Sequence, residues 1–233
     1  MLRKLGDRLT LVGVAHVLPK SKGETRAAIE RELPEVVAVE LCPSRYAALM
    51  GKVERAGARA ALRARELSPF ILNKFFHLLQ TKFARRTGMP AGEEMLTAIK
   101  SAQKVGARVE LIDRDINVTL LRLVERMGAR EKLRLFLELL LGLLPFGARV
   151  ELERLTENEI VVHLLSSLKR ALPRAYEVLI EERNSYMAAR IAMLLASTKG
   201  KIVCVVGAGH VPGLYRRLGK GKWQVKLEYP LFS

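Results

Sequence analysis

The sequence predicts an α/β fold, a mostly parallel central sheet flanked by helices and carrying a helical insertion lobe. Three observations predict it. Short apolar runs rich in branched residues stop at polar turns, helical stretches lie between those runs, and two longer segments carry helical periodicity with few strand signals.

Residues 8–14, RLTLVGV, and 36–41, VVAVEL, are expected to be buried parallel strands, because a sheet covered on both faces needs continuous apolar residues. Between them, residues 21–33 form a predicted helix. Ser21 and Glu24 have capping-box spacing, and Pro34 cannot continue the helix. The result is a βαβ unit. The pattern returns with a helix at 92–105 before a strand at 108–112, and with a helix at 175–197 before a strand at 201–206. Residues 222–228 alternate like an edge strand. Segments of about 46–87 and 116–172 are expected to be helical insertions on this platform. No repeat or low-complexity linker divides the chain, so residues 1–233 are expected to form one domain.

Of the 233 residues, 49% are hydrophobic and 27% charged, which excludes disordered and collagen-like classes. The formal charge of +16 is concentrated in two places. Residues 45–86 hold ten Lys and Arg against Glu54 and Glu66, while residues 199–226 hold seven and no acid. Such segments suit phospholipid headgroups or nucleic acid, or form a solvated basic face. They are poor in aromatics and match no zinc-finger or RNA-recognition pattern, so specific nucleic-acid binding is not expected.

Cys42 and Cys204 have no CxxC spacing, and no signal peptide is visible, so a reducing cytoplasm is expected. No stretch reaches the roughly 18 to 20 uninterrupted apolar residues of a spanning helix. Residues 133–146, LRLFLELLLGLLPF, contain Arg134, Glu138 and Pro145 and are expected to be a buried or interfacial helix.

The chemistry gathers at predicted strand ends. Gly13-Val14-Ala15-His16 closes the first strand, and Gly207-Ala208-Gly209-His210 follows the strand ending at Val206. A glycine in each turn is expected to let the backbone bend sharply. Glu40 ends the second strand and Asp113 lies just past the third. All four polar side chains therefore leave the carboxyl edge, where ligands of open parallel sheets bind. Two imidazoles and a carboxylate suit Zn, Mn, Co or Fe. A site of this kind activates water toward a carbonyl, with a second carboxylate taking the proton. Arg45, Arg114 and Arg183 are candidates to hold an anionic group.

Other readings of the same residues stay open. Glu40 requires either a metal or an ion pair, for which Arg45 is the nearby cation. Asp113 and Arg114 can also cap the following helix. His77 and His163 lie in Leu-rich helical runs and suit packing or surface positions. Gly207, Gly209 and Gly213 approximate a dinucleotide loop, with Glu228 as its ribose contact, but the spacing is GxGxxxG and Pro212 stands where the helix should begin. Too few βα units remain after it to complete that platform.

Six blocks, taken together and in order, resemble the TraB/PrgY family: GVAHV at 13–17, VAVELCPSRYAAL at 37–49, GEEMLTAIKSA at 92–102, IDRDI at 112–116, EERNSYMA at 181–188 and VVGAGHVPGL at 205–214. The resemblance implies a role akin to pheromone shutdown. It also implies a wider group with paired GxxH motifs, including Tiki-type metalloproteases and erythromycin-esterase-like enzymes. It further implies a metal-dependent, peptidase-like hydrolase site. His16, Glu40 and His210 would be the ligands, with Arg45, Asp113, Glu182 and Arg183 in support. Manganese or cobalt is the implied metal, with zinc also compatible, and the implied substrate is a peptide or protein. One position departs from the pattern: the block that usually reads ERD is ERN here, with Asn184, which removes a carboxylate.

Family members commonly carry transmembrane helices after the soluble domain, so a membrane region beyond this chain is expected. The basic segments would then face anionic lipid at the cytoplasmic side. A different class of function fits the same pocket, namely a non-catalytic module that sequesters a peptide through its arginines.

Overall fold

The computed structural model of the chain describes residues 1–14, 20–51, 92–133 and 157–219. It begins with strands β1 (Leu2–Leu5) and β2 (Leu9–Val14), then helix α1 (Lys20–Glu32), strand β3 (Val36–Val39) and helix α2 (Pro43–Leu49). Helix α3 (Glu93–Lys104), strand β4 (Arg108–Leu111), helix α4 (Ile116–Arg126) and helix α5 (Glu157–Ala171) follow. A last helical run is built from α6 (Pro173–Tyr176), a π-helical turn (Glu177–Glu182) and α7 (Arg183–Ser197). Strand β5 (Ile202–Gly207) and helix α8 (Val211–Leu218) complete the described elements.

The five strands lie in the order β1-β2-β5-β3-β4. Only β1 runs antiparallel to its neighbour; β2, β5, β3 and β4 are mutually parallel. The expected α/β architecture is therefore present. The last strand in the chain is the central one, so β2 and β3, joined through α1, are not neighbours but flank β5 on either side.

Alternation along the strands splits the apolar residues into two cores. Leu9, Leu11, Val36, Ala38, Ile202, Cys204 and Val206 face α7 and α8, packing against Met187, Ile191 and Leu214. Val12, Val14, Val37, Val39, Val203 and Val205 face α1 and α3, where Ile29, Ala98 and Ile99 meet them. Each fully buried branched side chain contributes about 1.5–3 kcal/mol, and a sheet covered on both sides explains why its strands read as unbroken apolar runs. A third cluster, Leu123, Met127, Leu172, Ala175 and Val178, ties α4 to the helical run before α7.

Several expectations need adjusting. The edge strand β1 had no counterpart in the sequence reading, because its Arg3 and Lys4 are exposed and its apolar content is two leucines. Charged side chains of this kind suit an edge that must not pair further. Helix α1 includes Lys20, so Ser21 sits within its first turn and not at its cap. Pro34 does follow the helix, after Leu33 with a φ of 44°. The predicted strand at 222–228, most of the predicted insertion at 46–87 and, with nearly all of the helix expected at 133–146, residues 134–156 of the insertion at 116–172 lie outside the described residues, while helices α4 and α5 occupy the described parts of the second insertion. Among the described residues, no helix is long and apolar enough to cross a membrane.

Candidate functional site

Parallel register brings three chemistry-bearing strand ends together. Val14 of β2 pairs with Gly207 of β5, and Val39 of β3 pairs with Val205 on the other side. The pairing runs on past the strands: Ala208 N donates to Val14 O at 2.8 Å, and Glu40 N to Val205 O at 3.0 Å. Two residues beyond Ala38, the Glu40 side chain emerges on the side of the sheet covered by α7. One carboxylate oxygen, Oε2, accepts the Gly207 N–H at 2.7 Å. The other, Oε1, accepts Arg183 Nη2 at 2.5 Å and lies 3.4 Å from His210 Nε2.

Arg183 also grips Asp113 with a two-pronged fork, Nε to Oδ1 at 3.0 Å and Nη2 to Oδ2 at 2.8 Å. One guanidinium thus bridges two carboxylates from β3 and β4. The neighbours of Arg183 go elsewhere. Glu181 accepts from Arg217 at 2.6 Å and from the Tyr176 hydroxyl at 3.2 Å. Glu182 accepts from Arg114 at 2.9 Å and from two nitrogens of Arg122 at 2.8 Å each. Asn184 Oδ1 lies 2.8 Å from His210 Nδ1. Consecutive helical side chains point about 100° apart, so four adjacent residues reach four different partners. The π turn takes in the first two residues of this fan and ends at Glu182. Turns of that kind recur at functional sites because they re-aim side chains without ending the helix.

The cluster carries an uneven charge. Burial opposes ionisation of Glu40, but His210, Arg183 and the Gly207 N–H outweigh it and hold the carboxyl at about 2. Burial likewise opposes the Arg183 charge, and Asp113 and Glu40 more than restore it, leaving the guanidinium protonated throughout the accessible pH range. For His210, burial prevails over the pull of Glu40 and holds the imidazole below its ordinary value, with Arg183 adding to the effect. Burial, reinforced by the Glu40 charge, also pushes the Cys204 thiol up.

The sequence-predicted site residues fall into three groups. Glu40, Asp113, Arg183 and His210 come together. Glu182 stands one residue away from them in the chain but faces Arg114 and Arg122 on the side of α4. Arg45 is half-buried in α2, and the ion pair foreseen between it and Glu40 is made by Arg183 instead. His16 lies outside the described residues, as does His77, while His163 is exposed. Asp113 does not cap the following helix: that cap is Asp115, which accepts Asn117 N at 2.7 Å. Arg114 and Arg183, foreseen as anion holders, donate to the protein's own carboxylates.

Gly13 has a different role from the one expected. It lies within β2, and a Cβ there would come 2.7 Å from Val211 Cγ2 and 3.1 Å from Ala208 Cα, so it is required by close packing and not by a turn. Sequence reasoning missed Arg122, Asn184 as the partner of His210, and the Gly207 N–H as the donor to Glu40. Their only signal was proximity in sequence to residues already singled out. Among the described residues, no group of three or more His, Cys, Asp or Glu side chains is arranged to hold a metal ion.

The sequence matches the model of the TraB/PrgY/gumN family over residues 2–226. The chain belongs to the TraB/PrgY/gumN family. Within it, the chain is 36% identical over 214 residues to an uncharacterized protein of Methanocaldococcus jannaschii, a match covering 90% of this chain and 53% of that protein. It is 26% identical to the TraB domain-containing protein of Homo sapiens over 239 residues and to that of Mus musculus over 234, covering 90% of this chain and 62% of each relative. The chain therefore spans 53% to 62% of the length of the curated relatives it matches.

Proposed function

We propose that this TraB-family chain is a metal-dependent hydrolase acting on a peptide or protein, with His16, Glu40 and His210 as the metal ligands. The observation that carries the reading is His210 Nε2 lying 3.4 Å from Glu40 Oε1 in a buried cluster at the strand ends. With Nε2 unprotonated, His210 and the Glu40 carboxylate would offer a nitrogen and an oxygen to one cation. His16 would supply a third donor, since it follows Val14, the residue paired with Gly207. These donor types fit manganese, cobalt or zinc. Such an ion, when bound, supplies Lewis-acid activation of water and of the scissile carbonyl.

The chain's own groups prepare the site. Arg183 keeps Glu40 ionised and aims its carboxylate, and the Gly207 N–H holds the second oxygen so that the group cannot rotate. Asp113 in turn fixes the Arg183 guanidinium from its far side. The two basic segments favour an anionic lipid surface as the neighbour of the whole protein. Selective co-sedimentation with anionic over neutral vesicles is the expected behaviour.

A second reading has its own support. Arg183 already neutralises Glu40, which suits a closed ionic lattice shaping a peptide-binding pocket without catalysis. Metal analysis by inductively coupled plasma mass spectrometry separates the two. The hydrolase reading expects near-stoichiometric metal in the native protein, lost in a His16→Ala/His210→Ala variant. No metal in either, even after incubation with Mn, Co and Zn, rejects it in favour of the peptide-binding module.

A further inference from the structure

Among the described residues the sheet has two open edges, β1 at one end and β4 at the other, and their charges differ. On β1 the exposed side chains include Arg3 and Lys4, both cations. On β4, Arg108 and Glu110 stand two residues apart on one face of the strand; their side chains meet at 2.8 Å while remaining 55% and 22% exposed. An edge of like charges repels a copy of itself, whereas an edge carrying both signs matches one in the right register.

The backbone of β4 shows which groups face outward. Arg108 N donates to Glu35 O and Ile112 N to Val39 O, both toward β3. Peptide groups alternate sides along a strand, so Val109 and Leu111 direct their N–H and C=O to the outer edge, where no strand of the described residues pairs with them. Their side chains are half-buried against the core shared with α1 and α3, on the face opposite Arg108 and Glu110.

Charge then selects the register. Two copies meeting antiparallel about a two-fold axis at Val109 set Arg108 opposite the second copy's Glu110, and Glu110 opposite its Arg108. The two Val109 residues exchange a pair of backbone hydrogen bonds, and the charged pairs fall at the closer, non-hydrogen-bonded positions. An axis at Arg108 or at Glu110 sets each against itself, and an axis at Leu111 sets Arg108 against Arg114.

We propose that the outer edge of β4 is a self-association surface, through which two copies of this chain join their sheets antiparallel with Val109 on the axis. The contact is isologous, so each favourable pair occurs twice. It covers the remaining exposed surface of Val109 and Leu111 and satisfies their outward N–H and C=O groups. Because the strands run in opposite directions, the two clusters around Glu40 lie at opposite ends of the joined sheet. The surface is therefore independent of what those clusters do.

The test is sedimentation velocity and light scattering of the native chain from micromolar to near-millimolar concentration, with amide hydrogen exchange read by NMR at both ends of the range. A concentration-dependent dimer is expected. The Val109 and Leu111 amides should slow as it forms, while those of Leu2 and Lys4 on the outer edge of β1 do not change. Arg108→Glu sets a glutamate opposite Glu110 twice, and is expected to raise the dimer dissociation constant about 10–100-fold. The Arg108→Glu/Glu110→Arg double variant restores both pairs with the signs exchanged and should return to near-native association. A native chain that stays monomeric over the whole range overturns the proposal. So does a dimer whose Val109 and Leu111 amides exchange as in the monomer, or a double variant that associates no better than Arg108→Glu. If the single variant does not fold, amide exchange in the native protein still decides.

Discussion

Arg183 meets Asp113 through two parallel hydrogen bonds, Nε to Oδ1 at 3.0 Å and Nη2 to Oδ2 at 2.8 Å, and with the same Nη2 reaches Glu40. The side chains of both ends are largely shielded, at 16% and 4% exposure. Arg183→Met therefore strands two buried carboxylates. Breaking one side of a buried charge pair costs about 3–5 kcal/mol, and urea unfolding is expected to show a loss of that size. Arg183→Lys should recover part of it only, because an ammonium lacks the planar fork that fits the carboxylate.

Glu182 supplies the pH dependence. Burial raises its pKa, but hydrogen bonds from Arg122 and Arg114 prevail and lower it from the ordinary 4.5. A folded-state value below the unfolded one stabilises the fold above about pH 4.5, and this contribution is lost as pH falls from there toward the folded value. Native protein should thus be more stable than Glu182→Gln at pH 7, with the gap narrowing below 4.5. Unfolding curves of both proteins from pH 7 to 3 measure it, and a gap constant across that range would argue against the pairing.

Glycines in the GAGHVPG turn are not equivalent. A Cβ at Gly213 collides with the Asn184 amide, whereas one at Gly209 meets only the Leu165 side chain at 3.5 Å, an ordinary contact. Gly213→Ala is expected to cost about 1–3 kcal/mol through overpacking and to disturb the His210 ring signals. Gly209→Ala should leave those signals in place and change stability far less.

The same contrast holds nearer the N-terminus. Gly13→Ala drives a methyl group onto Val211 and the Ala208 backbone, and should destabilise by about 1–3 kcal/mol. Gly23, inside α1, has nothing within 4 Å of the position a Cβ would take. Gly23→Ala is expected to stabilise by about 0.4–1 kcal/mol, because alanine loses less backbone entropy on entering a helix. Thermal unfolding of the two variants should move in opposite directions.

The sequence by itself determined the features that depend on neighbouring residues. Branched apolar runs at 8–14 and 36–41 mark strands because a doubly covered sheet admits no polar alternation, and the two Gly-x-x-His turns and Glu40 are visible as polar stops to those runs. The blocks that carry family membership are likewise contiguous. Only the tertiary structure decided which strand ends meet: β5, last in the chain, inserts between β2 and β3. It also decided which charges pair. Arg183 stands 143 residues from Glu40 and 70 from Asp113, and 40 Lys and Arg against 24 Asp and Glu leave many combinations that local pattern cannot rank. The choice follows from burial, because a carboxylate shut away from water requires whichever guanidinium or N–H the fold brings to it. The hydrogen bond between Asn184 and His210 was hidden for the same reason, since 26 residues and the whole of β5 separate its partners along the chain.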